Sequence, residues 1–356
     1  MEHKLKNEIV GLVGAGVMVK RNTINALHPS QKYIDKTVSE LYSDGILRRA
    51  PGKVLRLTQR GISLLDGDER RLYMALSSGD RPGQDKAHVD AMTRASDCLC
   101  MMYSAGIPTE FYKNEFEFQN MSVEPSYITS FEFKSVEPSK FVLKKELNEV
   151  GQRCGRVNGS RSSGYLFAPG ITATVVSSAG RNLQLTHNGD FEDALHCVST
   201  AKQMFNDIAY TGDREYQSIV LCPSDADCLR ILSHRTERHT LAAAMSDVRQ
   251  THQEYRYIPV NPDGVMSLRY IAEHSQDEIL HRLFSADEIA AAKHPFDAVV
   301  NGLHVVEFCS CNITKLMRVA RREDVGVVCF EWQYDFVEQL WGGHLRQRRI
   351  IRQDVV

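Results

Sequence analysis

Residues 30–65, SQKYIDKTVSELYSDGILRRAPGKVLRLTQRGISLL, carry structural signals that follow one another without a gap. Ser30 offers a hydroxyl to the first free N–H groups of a helix. Ile34, Val38, Leu41 and Tyr42 then recur at the i, i+4, i+7, i+8 spacing of one apolar helix face, while Lys32, Asp35, Lys36, Ser39 and Glu40 fall opposite. The spacing predicts a helix over 31–43. Asp44-Gly45 stops it, because glycine takes the left-handed conformation that ends a helix at little steric cost. Residues 46–49 (ILRR) then read as a short strand, Pro51-Gly52-Lys53 as a turn and 54–57 (VLRL) as the antiparallel return. Residues 58–65 (TQRGISLL) open a further helical segment.

Charge divides the chain around this stretch. Residues 1–65 hold 11 Lys/Arg against 5 Asp/Glu, a net of +6, whereas residues 66–356 hold 32 against 40, a net of −8. A small basic head on a larger acidic body is the asymmetry expected of a nucleic-acid-binding module joined to a second domain. Helix, Asp-Gly stop, strand, basic turn, strand and Leu-Thr-x-x-Gly together resemble the winged-helix DNA-binding superfamily over the first 65 residues. In that superfamily the helix after the turn enters the major groove and the wing touches phosphates. The resemblance implies double-stranded DNA as partner, with Lys32, Tyr33 and Lys36 on the groove side and Arg48, Arg49, Lys53 and Arg56 along the wing. The same basic face would also suit protein contacts alone, and a homodimer stays open as an assembly.

Residues 10–18 (VGLVGAGVM) support a competing reading, the strand and glycine turn of a dinucleotide-binding oxidoreductase. Gly14 and Gly16 fit its G-x-G-x-x-G fingerprint, but Val19 stands where the third glycine is needed for close helix–strand packing. Residues 9–19 also imitate a signal peptide, yet the run leads into Lys20 and Arg21 with no small-residue cleavage site and is too short to span a bilayer. Nine cysteines suit no paired disulfide framework, so reduced thiols and the cytoplasm are expected, without a membrane.

The rest reads as a turn-rich hinge over 67–86 followed by an α/β domain over 87–356. The whole is expected to be α/β (α+β): an N-terminal winged helix over 1–66 and a larger mixed-sheet domain. Residues 87–105 carry a helical stripe of Val89, Met92, Leu99 and Met102. Residues 127–134, 165–168, 171–177, 183–187, 218–222, 255–260, 303–308 and 325–331 read as strands, and helices are expected over 188–206, 224–233, 267–284 and 312–321. Residues 127–134, 159–180 (GSRSSGYLFAPGITATVVSSAG) and 327–333 (VVCFEWQ) resemble segments of winged-helix proteins of bacterial plasmids and conjugative elements, loosely called replication–relaxation proteins. That resemblance implies a setting in replication, mobilisation or regulation, and some members join the winged helix to a nuclease-like α/β domain.

A restriction-type nuclease places an Asp on its second core strand and Glu-x-Lys on its third, to hold a Mg²⁺ ion that activates water. The corresponding strands here, ITATVVS and LQLTH, hold no acid. A metal-dependent nuclease is therefore the alternative reading. Its catalytic candidates would be Asp190, Glu192 and Asp193, which helix capping already explains, and Glu307, an acid at the end of an apolar strand. A degenerate, non-catalytic nuclease-like core is the preferred expectation. The 13 histidines include no His-x-His, and Cys98/Cys100 and Cys309/Cys311 are spaced too closely for a usual structural zinc site. No metal or cofactor is expected.

Overall fold

The computed structural model of the chain describes residues 2–28, 31–77, 86–109, 126–129, 162–168, 171–183, 216–234, 240–246, 253–320, 322, 325–341 and 349–353. It is of the α/β class, with helices packed on mixed and antiparallel sheets.

The N-terminal part runs α1 (Glu2–Gly16), β1 (Val19–Lys20), α2 (Arg21–Leu27), α3 (Gln31–Ser43), β2 (Leu47–Ala50), β3 (Val54–Leu57), α4 (Gln59–Ile62) and α5 (Gly67–Ser77). Its three strands form an antiparallel sheet of order β1-β3-β2, in which Leu47 faces Leu57 and Val19 faces Leu55. Ile34, Val38 and Leu41 of α3 are buried, as their spacing requires. The helix ends where glycine was expected to end it. Gly45 has φ +67°, and the Ile46 N–H reaches back 2.9 Å to the Leu41 carbonyl, closing the last turn. Gly52 and Lys53 turn the hairpin with φ of +77° and +59°.

Residues 10–18 correct the dinucleotide expectation: residues 10–16 belong to helix α1, not to a strand. Their glycines serve close packing. A Cβ on Gly14 would lie 2.7 Å from Leu65, and one on Gly16 would lie 2.7 Å from both Cys100 and Ser96. The hinge expectation is also revised at its start, because residues 67–77 form α5 with Tyr73 buried against the core.

Helix α6 (Lys86–Ala105) carries the expected methionine-rich stripe, with Met92, Leu99 and Met102 buried. It packs on α1 and also on the central sheet. That sheet joins β4 (Ser126–Thr129), β5 (Gly164–Phe167), β6 (Thr172–Ser177), β7 (Tyr216–Cys222) and β8 (Gln253–Pro259) in sequential order. The first three strands pair antiparallel and the last three parallel. The strand expected over 183–187 and the helix over 188–206 fall almost wholly outside the described residues.

Between and after β7 and β8 come α7 (Asp225–Ser233), α8 (Leu241–Ser246), α9 (Pro262–Glu273), α10 (Gln276–Leu283) and α11 (Ala286–Ala290). The single helix expected over 267–284 is two. Ser275 caps α10 with Glu278 in a reciprocal capping box, and that local bonding competes with continuation of α9. A second sheet, of order β12-β11-β10-β9, contains β9 (Ala298–Val300), β10 (Leu303–Glu307), β11 (Val325–Phe330) and β12 (Arg349–Gln353), with α12 (Ile313–Val319) and α13 (Tyr334–Leu340) between strands. The two sheets meet where the Tyr257 N–H donates to the Cys311 carbonyl at 2.8 Å. One apolar cluster extends from Ile9 and Val13 through Met101 to Val175, Ile219 and Leu268, so the N-terminal part shares its core with the central sheet.

Candidate nucleic-acid interface

The amphipathic pattern of α3 turns Tyr33, Asp35, Lys36 and Ser39 outward; Tyr33 is 55% exposed despite its size. Thr37, buried on the other side, donates its hydroxyl to the Tyr33 carbonyl at 2.8 Å. Lys32 belongs to the first turn of α3, with its side chain outside the described residues. On the adjoining hairpin Arg48, Arg49 and Lys53 are exposed. The Arg49 guanidinium lies 5.5 Å from the Tyr42 ring centroid, a cation–π contact that ties the hairpin to α3. Arg56 is placed differently. It lies on the central strand β3 opposite Arg48 and is only 9% exposed, which removes it from the exposed basic set.

The acids of this region are partly engaged from behind. Lys6 of α1 pairs with Glu40 at 2.9 Å and with Asp44 at 3.5 Å, and Lys36 pairs with Glu40 at 3.7 Å. The hydrogen bond from Lys6 holds the Glu40 carboxyl below its usual range and raises Lys6 in return. Arg21 of α2 pairs with Asp35. Among the described residues no carboxylate pairs with Arg48 or Lys53. The geometry thus leaves positive charge without a paired acid on the hairpin, which the Arg49–Tyr42 contact ties to α3.

Of the acids considered for catalysis, Asp190, Glu192 and Asp193 lie outside the described residues. Glu307 ends β10 and is fully buried. It accepts from the Ser310 hydroxyl at 3.0 Å, from the Ser310 backbone N–H and from Gln276 Nε2 at 2.8 Å. Its own N–H donates to Asp297 at 2.8 Å, and the other oxygen of Asp297 accepts from Lys315 Nζ at 2.7 Å. Behind them Arg256 donates to the Ser310 carbonyl at 2.6 Å and to Gln276 at 3.3 Å. Burial raises the Asp297 carboxyl, with Glu307 adding to the rise and Lys315 opposing it. Burial alone would lower Lys315, but Asp297, Glu307 and Glu254 outweigh it, and its pKa is raised.

A nuclease-type divalent ion is held by carboxylate oxygens facing an open cleft. Each carboxylate oxygen of Asp297 and Glu307 already accepts from a protein donor and Glu307 is fully buried, so an ion at this position would have to share or displace those donors. No group of three or more His, Cys, Asp or Glu able to hold a metal occurs among the described residues. The thiols of Cys98, Cys100, Cys309 and Cys311 are all buried, and burial raises Cys311 to about 11.

Asp297, Lys315 and Gln276 were not singled out from the sequence. A signal for Asp297 was present: Asn301-Gly302 between AVV and LHVV marks a two-residue hairpin. Both residues have positive φ, and the hairpin sets Asp297 beside Glu307.

No family model, curated protein or solved structure matches the chain. No helix among the described residues is long and apolar enough to cross a membrane.

Proposed function

We propose that this chain binds duplex DNA through its N-terminal part, used as a winged helix, with α3 in the major groove and the β2–β3 hairpin as wing. The observation that carries the reading is the exposed, acid-free charge of Arg48 and Lys53 on the hairpin that packs on α3. The order α1-β1-α2-α3-β2-β3 and the sheet order β1-β3-β2 support it. The mobile-element setting rests on the sequence resemblance and belongs to the same proposal. The test is fluorescence anisotropy of the full chain on random duplex DNA across a salt series. Wild type should bind and release as salt rises, and the Arg48→Glu/Lys53→Glu double variant should lose roughly tenfold or more in affinity, with a shallower salt slope. Unchanged affinity in that variant would reject the interface.

The second reading, a metal-dependent nuclease, gains from one observation: Asp297 and Glu307 lie together near Lys315. Their full engagement by protein donors weighs against it. Supercoiled plasmid incubated with Mg²⁺ or Mn²⁺ should therefore stay uncut; nicking that Glu307→Gln abolishes would put the enzyme reading first.

A further inference from the structure

We propose that Asp35 reads a base, selecting cytosine in the major groove; the inference rests on the DNA-binding reading and deepens it. A carboxylate on a surface meant for a polyanion opposes binding, unless it accepts a hydrogen bond there that offsets the repulsion. Asp35 stands well out, with its side chain 86% exposed on the outward face of α3.

Its charge is also placed with care. Oδ1 accepts from Arg21 of α2, and Arg21 Nε donates in turn to Asn25 Oδ1 at 3.3 Å, so the cation is anchored on its own helix. Arg21 supplies the countercharge that lets the carboxylate approach phosphates. Oδ2 has no donor among the described residues and remains able to accept.

An ionised carboxylate can only accept. Among major-groove edges the donors are the amino groups of cytosine and adenine. Adenine sets its amino group beside N7, an acceptor that a carboxylate cannot satisfy and that repels it, whereas cytosine N4 carries no such neighbour on its own base. Guanine and thymine present acceptors. The chemistry at Asp35 therefore matches cytosine.

The experiment is selection of bound duplexes from a randomised pool by the full chain, read by sequencing, for wild type, Asp35→Ala, Asp35→Asn and Arg21→Ala. Wild type should enrich a site with one strongly preferred cytosine. Asp35→Ala should lose that preference by roughly tenfold. Asp35→Asn should shift the position towards adenine, whose amino group and N7 suit an amide. Arg21→Ala, which keeps the carboxylate but frees it, should weaken the same preference. If wild type binds DNA without base preference, or Asp35→Ala enriches the wild-type sites unchanged, the inference falls and the DNA-binding reading stands. If wild type binds no duplex at all, both fall.

Discussion

Gly61 shows how one residue can fix a local fold. A Cβ at that position would lie 2.4 Å from the Ile46 carbonyl oxygen, a backbone atom held in the turn that leaves α3. Gly61→Ala is expected to cost about 1–3 kcal/mol, as overpacking against fixed atoms does, read as a lowered midpoint in urea unfolding. Glu307 is the opposite case, a polar group whose removal strands its partners. Glu307→Ala leaves the Ser310 N–H, the Ser310 hydroxyl and Gln276 Nε2 without their acceptor and removes a negative charge that supports Lys315. The expected loss is about 3–5 kcal/mol, with Glu307→Gln milder because it keeps the volume. Equal losses for the two variants in thermal melts would show that the charge, removed in both, and not the volume that glutamine retains, is what Glu307 supplies.

Among elements, the junction of α3, the hairpin and α4 hangs on Thr58. Its hydroxyl oxygen accepts from the Gly61 N–H at 3.2 Å, capping α4, and its proton is directed at the Gly45 carbonyl at 2.5 Å. Thr58→Ala should cost about 1–2 kcal/mol, and Thr58→Ser should recover most of it; a serine variant as unstable as alanine would assign the effect to the lost methyl. This region was readable in advance because each signal is local. Helix 31–43, its glycine stop and the returning strand 54–57 each follow from residues a few positions apart. Elements that depend on distant partners were not readable. The pattern in residues 10–18 is equally apolar as strand or helix, and only packing of Gly14 and Gly16 on Leu65, Ser96 and Cys100 decides it. Arg56 alternates like an exposed wing residue, yet it sits on the strand between two neighbours. In the candidate site the outward residues of α3 followed from periodicity, whereas the partnership of Glu307 with Asp297, Gln276 and Ser310 required the tertiary fold.

At the scale of the whole molecule, the N-terminal part and the central sheet are joined by more than apolar contact. Asp97, buried in the middle of α6, accepts from Thr23 of α2 at 2.7 Å and from Ser177 of β6 at 3.3 Å, so one carboxyl bonds to both sides of the junction. Burial raises its pKa above the ordinary aspartate value, opposed by those two hydroxyls and by the positive charges of Lys20 and Arg94. The native state therefore holds this proton more tightly than the unfolded chain does. The resulting stabilisation is complete below the unfolded pKa of about 3.9 and is lost as pH rises through the folded value. Asp97→Asn cannot ionise, and its amide can still serve both hydroxyls by letting one of them accept. Its stability relative to wild type should be close to zero near pH 4 and should grow in its favour towards pH 8. Asp97→Ala leaves Thr23 and Ser177 without an acceptor and should be destabilised by about 1–3 kcal/mol at pH 4, where charge plays no part. Thermal melts of the three proteins at pH 4, 6 and 8 test this directly. A constant offset between wild type and Asp97→Asn across that range would mean that the carboxyl does not change protonation within it, and the pH-sensitive junction would have to be abandoned.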